Sequence, residues 1–303
     1  MITLKHKHAK LLRVALCFCV LVAWSNFAHA QTVSEGDALA AIKLATNPTT
    51  KLAAAEDFIA HFPKSSARLS IAELIAAELL KIKNGAVALA LYERAQAVFT
   101  NDDERKVLRP VALAAYTLGN RTDDAFALAS EMLAKDGNDL PVLVKMTQLG
   151  AEEARKRNRK YADVSLQYGL KAISLIEADK RLGTDADLAQ LYQQTAILHL
   201  SDGNNDEAQS RLRKAMALSP RDPSNFALLG RVLSADYVAL KTKQDVGGML
   251  DQMVDAYARA AGLAMGRPEY QGLLQQIMPE LTTYYKERHG SVKGLRELIL
   301  SRR

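Results

Sequence analysis

Small residues recurring at helical spacing constrain this chain more than any other feature. From Leu188 to Pro220 it reads LAQLYQQTAILHLSDGNNDEAQSRLRKAMALSP, two helical patterns of similar length around the turn signal SDGNND. Ala196 lies on the first pattern, and Ala208, Leu212 and Ala215 recur on the second at spacings of three and four, which put side chains on one helix stripe. Antiparallel helices approach closely only where the facing side chains are small. Ala196 and Ala208 therefore fit a hairpin crossing, Leu212 fills the gap beside it, and Ala215 fits the approach of the next hairpin. Pro220 disfavours continuation of the helix and fixes the exit of the chain. One hairpin leaves an apolar face uncovered, so the pattern implies neighbours stacked on it.

The same residues resemble a tetratricopeptide repeat. Tyr192, Ala196 and His199 stand at the family's large, small and aromatic positions of the first helix. Ala208, Leu212 and Ala215 match the small, bulky, small pattern of the second, and Pro220 matches the terminal proline. The unit over 188–221 fits a repeat of about 34 residues. Fainter copies pair Ala76 with Ala88, Tyr92 and Ala95 in 71–99, supply Tyr116 and Ala125 in 111–133, and place Gly230 and then Tyr257 and Ala260 in 226–264. FIAHFPKSSAR at 58–68 is similar to the helix ends of envelope-associated members. The resemblance implies an all-α fold, a right-handed α-solenoid of stacked antiparallel helical hairpins spanning 46–268. Segment 139–181 reads as helical without a match, and 234–248 reads as an insertion. Pro279 divides the tail 269–303, so YQGLLQQIM and PELTTYYKERH are expected as separate capping helices, followed by GLRELILSRR.

Residues 1–30 read as a leader rather than as part of the fold. Lys5, Lys7, Lys10 and Arg13 occur there with no acid, the apolar run Val14–Trp24 follows, and Ala28-His29-Ala30 ends it. That is a secretory signal peptide, with cleavage expected after Ala30; the apolar run is shorter than the roughly 20 residues of a spanning helix. Residues 31–45 are a lead-in to the repeats. Removing four cations and no acid takes the formal charge from +6 to +2, and Cys17, Cys19 and Trp24 leave with the leader. A cysteine-free, nearly neutral exported chain has no thiolate chemistry and is a poor binder of nucleic acid.

Catalytic patterns are sparse. Beyond the leader only His61, His199 and His289 remain, and no motif for zinc hydrolysis, a serine nucleophile, a P-loop or a dinucleotide occurs. No cofactor or metal is expected. His199, at a repeat-core position, reads as a satisfied core histidine. The acid pairs Asp102–Asp103 and Asp123–Asp124 sit at helix starts, where capping and the helix dipole account for them. The basic run ARKRNRK supplies Arg155, Lys156, Arg157, Arg159 and Lys160. It is a candidate for contact with an anionic membrane or envelope polymer, the plainer reading being a solvated helix end. In the family the first helices line a concave face that holds peptides or partner proteins. Here that face is expected to carry Gln190, Gln193, Ile197 and Arg231, without the lysine and asparagine clamp of chaperone-binding members. The function expected from the resemblance is an exported, non-catalytic scaffold for a protein or peptide partner. An enzyme or small-molecule site in 139–181 or 234–248, and a self-associating structural protein, are the alternatives.

Overall fold

In the computed structural model the described residues are 33–240 and 247–303. The expected leader, the first residues of the lead-in and the centre of the expected insertion lie outside them. The described residues form helices joined by turns, with no strand among them. The fold is an all-α solenoid of helical hairpins, and its contacts divide the chain into two units at Asn120 and Arg121.

The first unit contains α1 (Glu35–Leu44), α2 (Pro48–His61), α3 (Arg68–Leu79), α4 (Gly85–Val98) and α5 (Asp102–Leu118). Its helix starts follow from the turn residues. Ser34 and Asn84 accept from the backbone N–H three residues on, and Asn47 with Thr50 and Asn101 with Glu104 close capping boxes. Ala76, Ala88, Tyr92 and Ala95 are all buried, as their spacing requires. Gly85 begins α4 against the end of α5: a Cβ there would lie 2.0 Å from the Leu118 carbonyl oxygen. Glu104 also takes the buried Arg68 guanidinium in a bidentate pair, Nε–Oε1 2.7 Å and Nη2–Oε2 2.9 Å. Burial pushes the Glu104 carboxyl up, but Arg68 and the Asn101 N–H outweigh it and hold it below the usual carboxylate range.

The second unit runs through α6 (Thr122–Lys135), α7 (Leu140–Arg155), α8 (Ala162–Ala178), α9 (Asp185–Ser201), α10 (Asn205–Leu218), α11 (Pro223–Leu240) and α12 (Gly247–Ala264). A 3-10 turn (Pro268–Tyr270), α13 (Gln271–His289) and α14 (Leu295–Leu300) complete it. Ala196, Ala208, Leu212 and Ala215 are fully buried. Ala196, Ala208 and Leu212 share a core with Ile197, Leu228 and Val232. Ala215 joins the core of Ala172, Ile173, Leu188 and Tyr192.

Two readings gain detail here and one changes. Segment 139–181 is a regular hairpin, α7 against α8, whose crossing uses Gly150 and Ser165: a Cβ on Gly150 would stand 1.9 Å from the Ser165 hydroxyl. The described parts of the expected insertion, 234–240 and 247–248, are helical, since α11 continues to Leu240 and α12 begins at Gly247. Pro279 does not divide α13. Ile277 and Leu281, one on each side of it, are both fully buried in the core with Met253, Val254 and Tyr257 of α12, and that packing holds the helix through the proline.

Candidate functional site

Helices α7, α9, α11 and α13 are the first helices of successive hairpins, and polar side chains link α9, α11 and α13 in a ladder. Gln193 of α9 donates to the Asn225 side-chain oxygen of α11 at 2.9 Å, and Arg231 of α11 donates to the Gln276 oxygen of α13 at 3.1 Å. Farther along α11, Ser234 meets the Tyr284 hydroxyl at 2.5 Å and Tyr237 donates to Glu287 at 2.5 Å. The bond to Glu287, with burial second, pushes the Tyr237 phenol up to about 12.

Tyr257 approaches this ladder from α12. It is fully buried, stacks on Tyr284 at 6.2 Å between ring centroids, and donates to Glu280 of α13. Burial and the Glu280 carboxylate push its phenol well above the usual value. Gly230 makes room for the ring, since a Cβ there would meet three ring carbons at 2.7–2.8 Å. The small residue expected at 230 is therefore fixed by a tyrosine whose hydroxyl serves the polar face.

The expected face residues divide. Gln190 is exposed, and Gln193 and Arg231 are half-buried with their ladder partners. Ile197 is only 4% exposed and offers no apolar contact. The reason is that α9 packs on α7, α8 and α10 together, so ten of its seventeen residues are buried and little of it remains outward.

The basic run divides as well. Arg155 ends α7, and residues 156–161 form its link to α8. Lys156 pairs with Glu153 at 2.8 Å, Arg159 with Asp202 at 2.6 Å, and Lys160 with Asp123 at 2.8 Å. Arg157 holds a left-handed turn conformation, φ 66°. Three of the five cations thus stitch the link to neighbouring helices.

Arg155 is different. It is exposed at the end of α7; crowding by the surrounding helices, with a smaller contribution from the positive charge of Arg231, holds its guanidinium below its ordinary value against the opposing pull of Glu152. Arg155 follows Ala154, and Arg231 precedes Val232, in the core that α7, α9 and α11 share. Among the described residues neither guanidinium has a carboxylate within salt-bridge distance. Two groups expected at separate sites therefore lie on one face. Sequence spacing could not reveal that, because it depends on which helix ends stand side by side.

The acid pairs take structural roles. Asp102 and Asp103 lie in the first turn of α5, and Asp123 and Asp124 in that of α6. Hydrogen bonds from Lys160 and Tyr161 hold the Asp123 carboxyl below its usual range. His199 is buried as expected but not satisfied: neither ring nitrogen has a hydrogen-bond partner among the described residues. Burial, with the Arg211 charge second, lowers its pKa. Among the described residues no group of His, Cys, Asp and Glu is placed to hold a metal ion, and no helix is long and apolar enough to cross a membrane.

No family model matches the chain, and no curated protein matches it. A solved structure to which it is similar is a thermophilic TPR protein, TTC0263, of Thermus thermophilus. The TM-score is 0.43 at 18% identity, over 70% of this chain and 99% of that one. At that distance the likeness says nothing of partner or activity.

Proposed function

We propose that this protein is an exported, non-catalytic helical-repeat scaffold that holds an acidic segment of a partner protein on the face formed by α7, α9, α11 and α13. The observation that carries this reading is the pair Arg155 and Arg231. Two like charges stand near each other on one face, and neither forms an ion pair among the described residues, Glu152 acting on Arg155 only from beyond salt-bridge distance. A bound carboxylate would supply a counter-ion to both, and guanidinium forks are suited to take it in bidentate fashion. Gln190 is a further exposed donor on α9. The leader-like pattern at 1–30 supports export, and the absence of a recognisable catalytic motif supports a binding role. The link cations Lys156, Arg159 and Lys160 are engaged with protein carboxylates, which favours a structural role for them over contact with an anionic surface.

Charge reversal tests the reading. The double variant Arg155→Glu, Arg231→Glu, expressed in the source cell, should fold with the parent's helical content and lose the partner that co-purifies with the parent. Retention of the same partner, or co-purification of the parent with copies of itself alone, would overturn it.

A further inference from the structure

A second surface is built from α10 and α12 together with α11, the one helix that it shares with the proposed face. Helices α10, α11 and α12 enclose a groove with a cavity of about 500 Å³, within the roughly 300–1,000 Å³ range that takes a drug-sized ligand or a few side chains. Its floor is apolar, formed by Met216, Phe226, Leu229 and Leu233. Arg213 and Arg259, both exposed, stand among the lining residues.

The charge around this floor is unbalanced. Arg259 lies over the Phe226 ring with its guanidinium carbon 4.5 Å from the centroid. That stacking restrains the side chain while leaving the in-plane N–H groups open to solvent. Arg213 makes only a long 3.4 Å contact to the Gln209 oxygen. Asp255, the one carboxylate lining the groove among the described residues, is already held by Arg302 at 2.8 Å. Gln209 is tied through its amide nitrogen to Asp236 at 3.1 Å. The groove thus presents two cations and an apolar floor, with its own acid neutralised from outside.

We infer that the α10–α11–α12 groove docks a partner polypeptide segment in which Asp or Glu flanks a large apolar side chain, the apolar group entering over Met216, Leu229 and Leu233 and the carboxylate bridging Arg213 and Arg259. Charge complementarity selects this occupant. A purely apolar segment leaves two guanidiniums at the rim of a buried contact without a counter-ion, and a basic segment is repelled. The assignment is independent of the face carrying Arg155 and Arg231.

The test uses the purified protein and a phage-displayed library of random linear dodecamers. Selected peptides should carry Asp or Glu beside Leu, Met, Phe or Trp, and a photo-crosslinker at the exposed rim residue Ala217 should capture them. Arg259→Gln or Arg213→Gln should weaken them by about tenfold or more, with Arg259→Lys recovering part of the loss. Arg231→Glu should leave their affinity unchanged, which separates failure here from failure of the other face. Unaltered thermal melts keep the Arg variants interpretable, since both side chains are on the surface. The inference is overturned by selected peptides without the acidic–apolar pattern, by affinity that neither Arg substitution moves, by sensitivity to Arg231→Glu, or by decanoate binding the groove while no peptide does.

Discussion

Replacing Gly230 by alanine sets two forces of known sign against each other. In the middle of a helix the change is ordinarily favourable by about 1 kcal/mol, because alanine has the better helix propensity. Here the added methyl would stand 2.7, 2.8 and 2.8 Å from three carbons of the Tyr257 ring. The ring cannot swing aside, since it is fully buried, stacked on Tyr284 and tied to Glu280. Overpacking of this kind typically costs about 1–3 kcal/mol, and three simultaneous contacts on a fixed ring place it at the upper end. The net expectation is a loss of about 1–2 kcal/mol, or roughly 2–8 °C in Tm at 2–4 °C per kcal/mol for a unit of this size. Circular dichroism melts of four proteins give the test: parent, Gly230→Ala, Tyr257→Ala and the double variant. With the ring removed, Gly230→Ala should reverse sign and stabilise by up to about 1 kcal/mol. A single variant as stable as the parent would refute the close approach, as would continued destabilisation in the Tyr257→Ala background.

Two further perturbations follow from buried charge. Glu104→Ala leaves the Arg68 guanidinium without its bidentate partner and should cost about 3–5 kcal/mol at neutral pH. Because the folded carboxyl is held below its unfolded value, this contribution is fully present above about pH 4.3 and fades as the pH falls through the folded value. Urea midpoints of parent and variant should therefore converge in acid; a gap independent of pH would contradict the pairing. His199 works through the same linkage as a base. Its folded pKa is depressed, so the unfolded chain gains a proton first and stability falls as the pH drops from about 6.5 through the folded value. His199→Phe removes a buried ring with two partnerless nitrogens, so it should raise Tm and flatten that acid slope. An unchanged slope would show that His199 is not its source.

How far the fold is legible in the sequence depends on how constant its spacings are. The pairs Ala76–Ala88 and Ala196–Ala208 are both twelve residues apart, and those hairpins are recognisable from the string alone. Gly150 and Ser165 serve the same crossing fifteen residues apart, because the link to α8 is longer, so that hairpin has no matching string. Pro279 misleads for a different reason. A local breaker carries no information about the packing of Ile277 and Leu281 that overrides it.

The site is less legible than the fold. Spacing places Gln190, Gln193 and Arg231 on first helices, but it assigns Ile197 to an open position where the structure buries it. It places Arg155 in a surface charge run and gives no sign that Arg231, on another hairpin, stands near it. Asn225, Gln276 and Glu280 carry no local pattern at all; their roles arise only when α11, α12 and α13 are set together.

The most direct measurement is photo-crosslinking in the source cell from Gln190, which is exposed on α9 and outside the ladder bonds. The expected result is one dominant adduct to another protein, mapped to an acidic segment of it and lost in the Arg155→Glu, Arg231→Glu variant. Adducts only to copies of the same chain, or none at all, would contradict a partner-holding face.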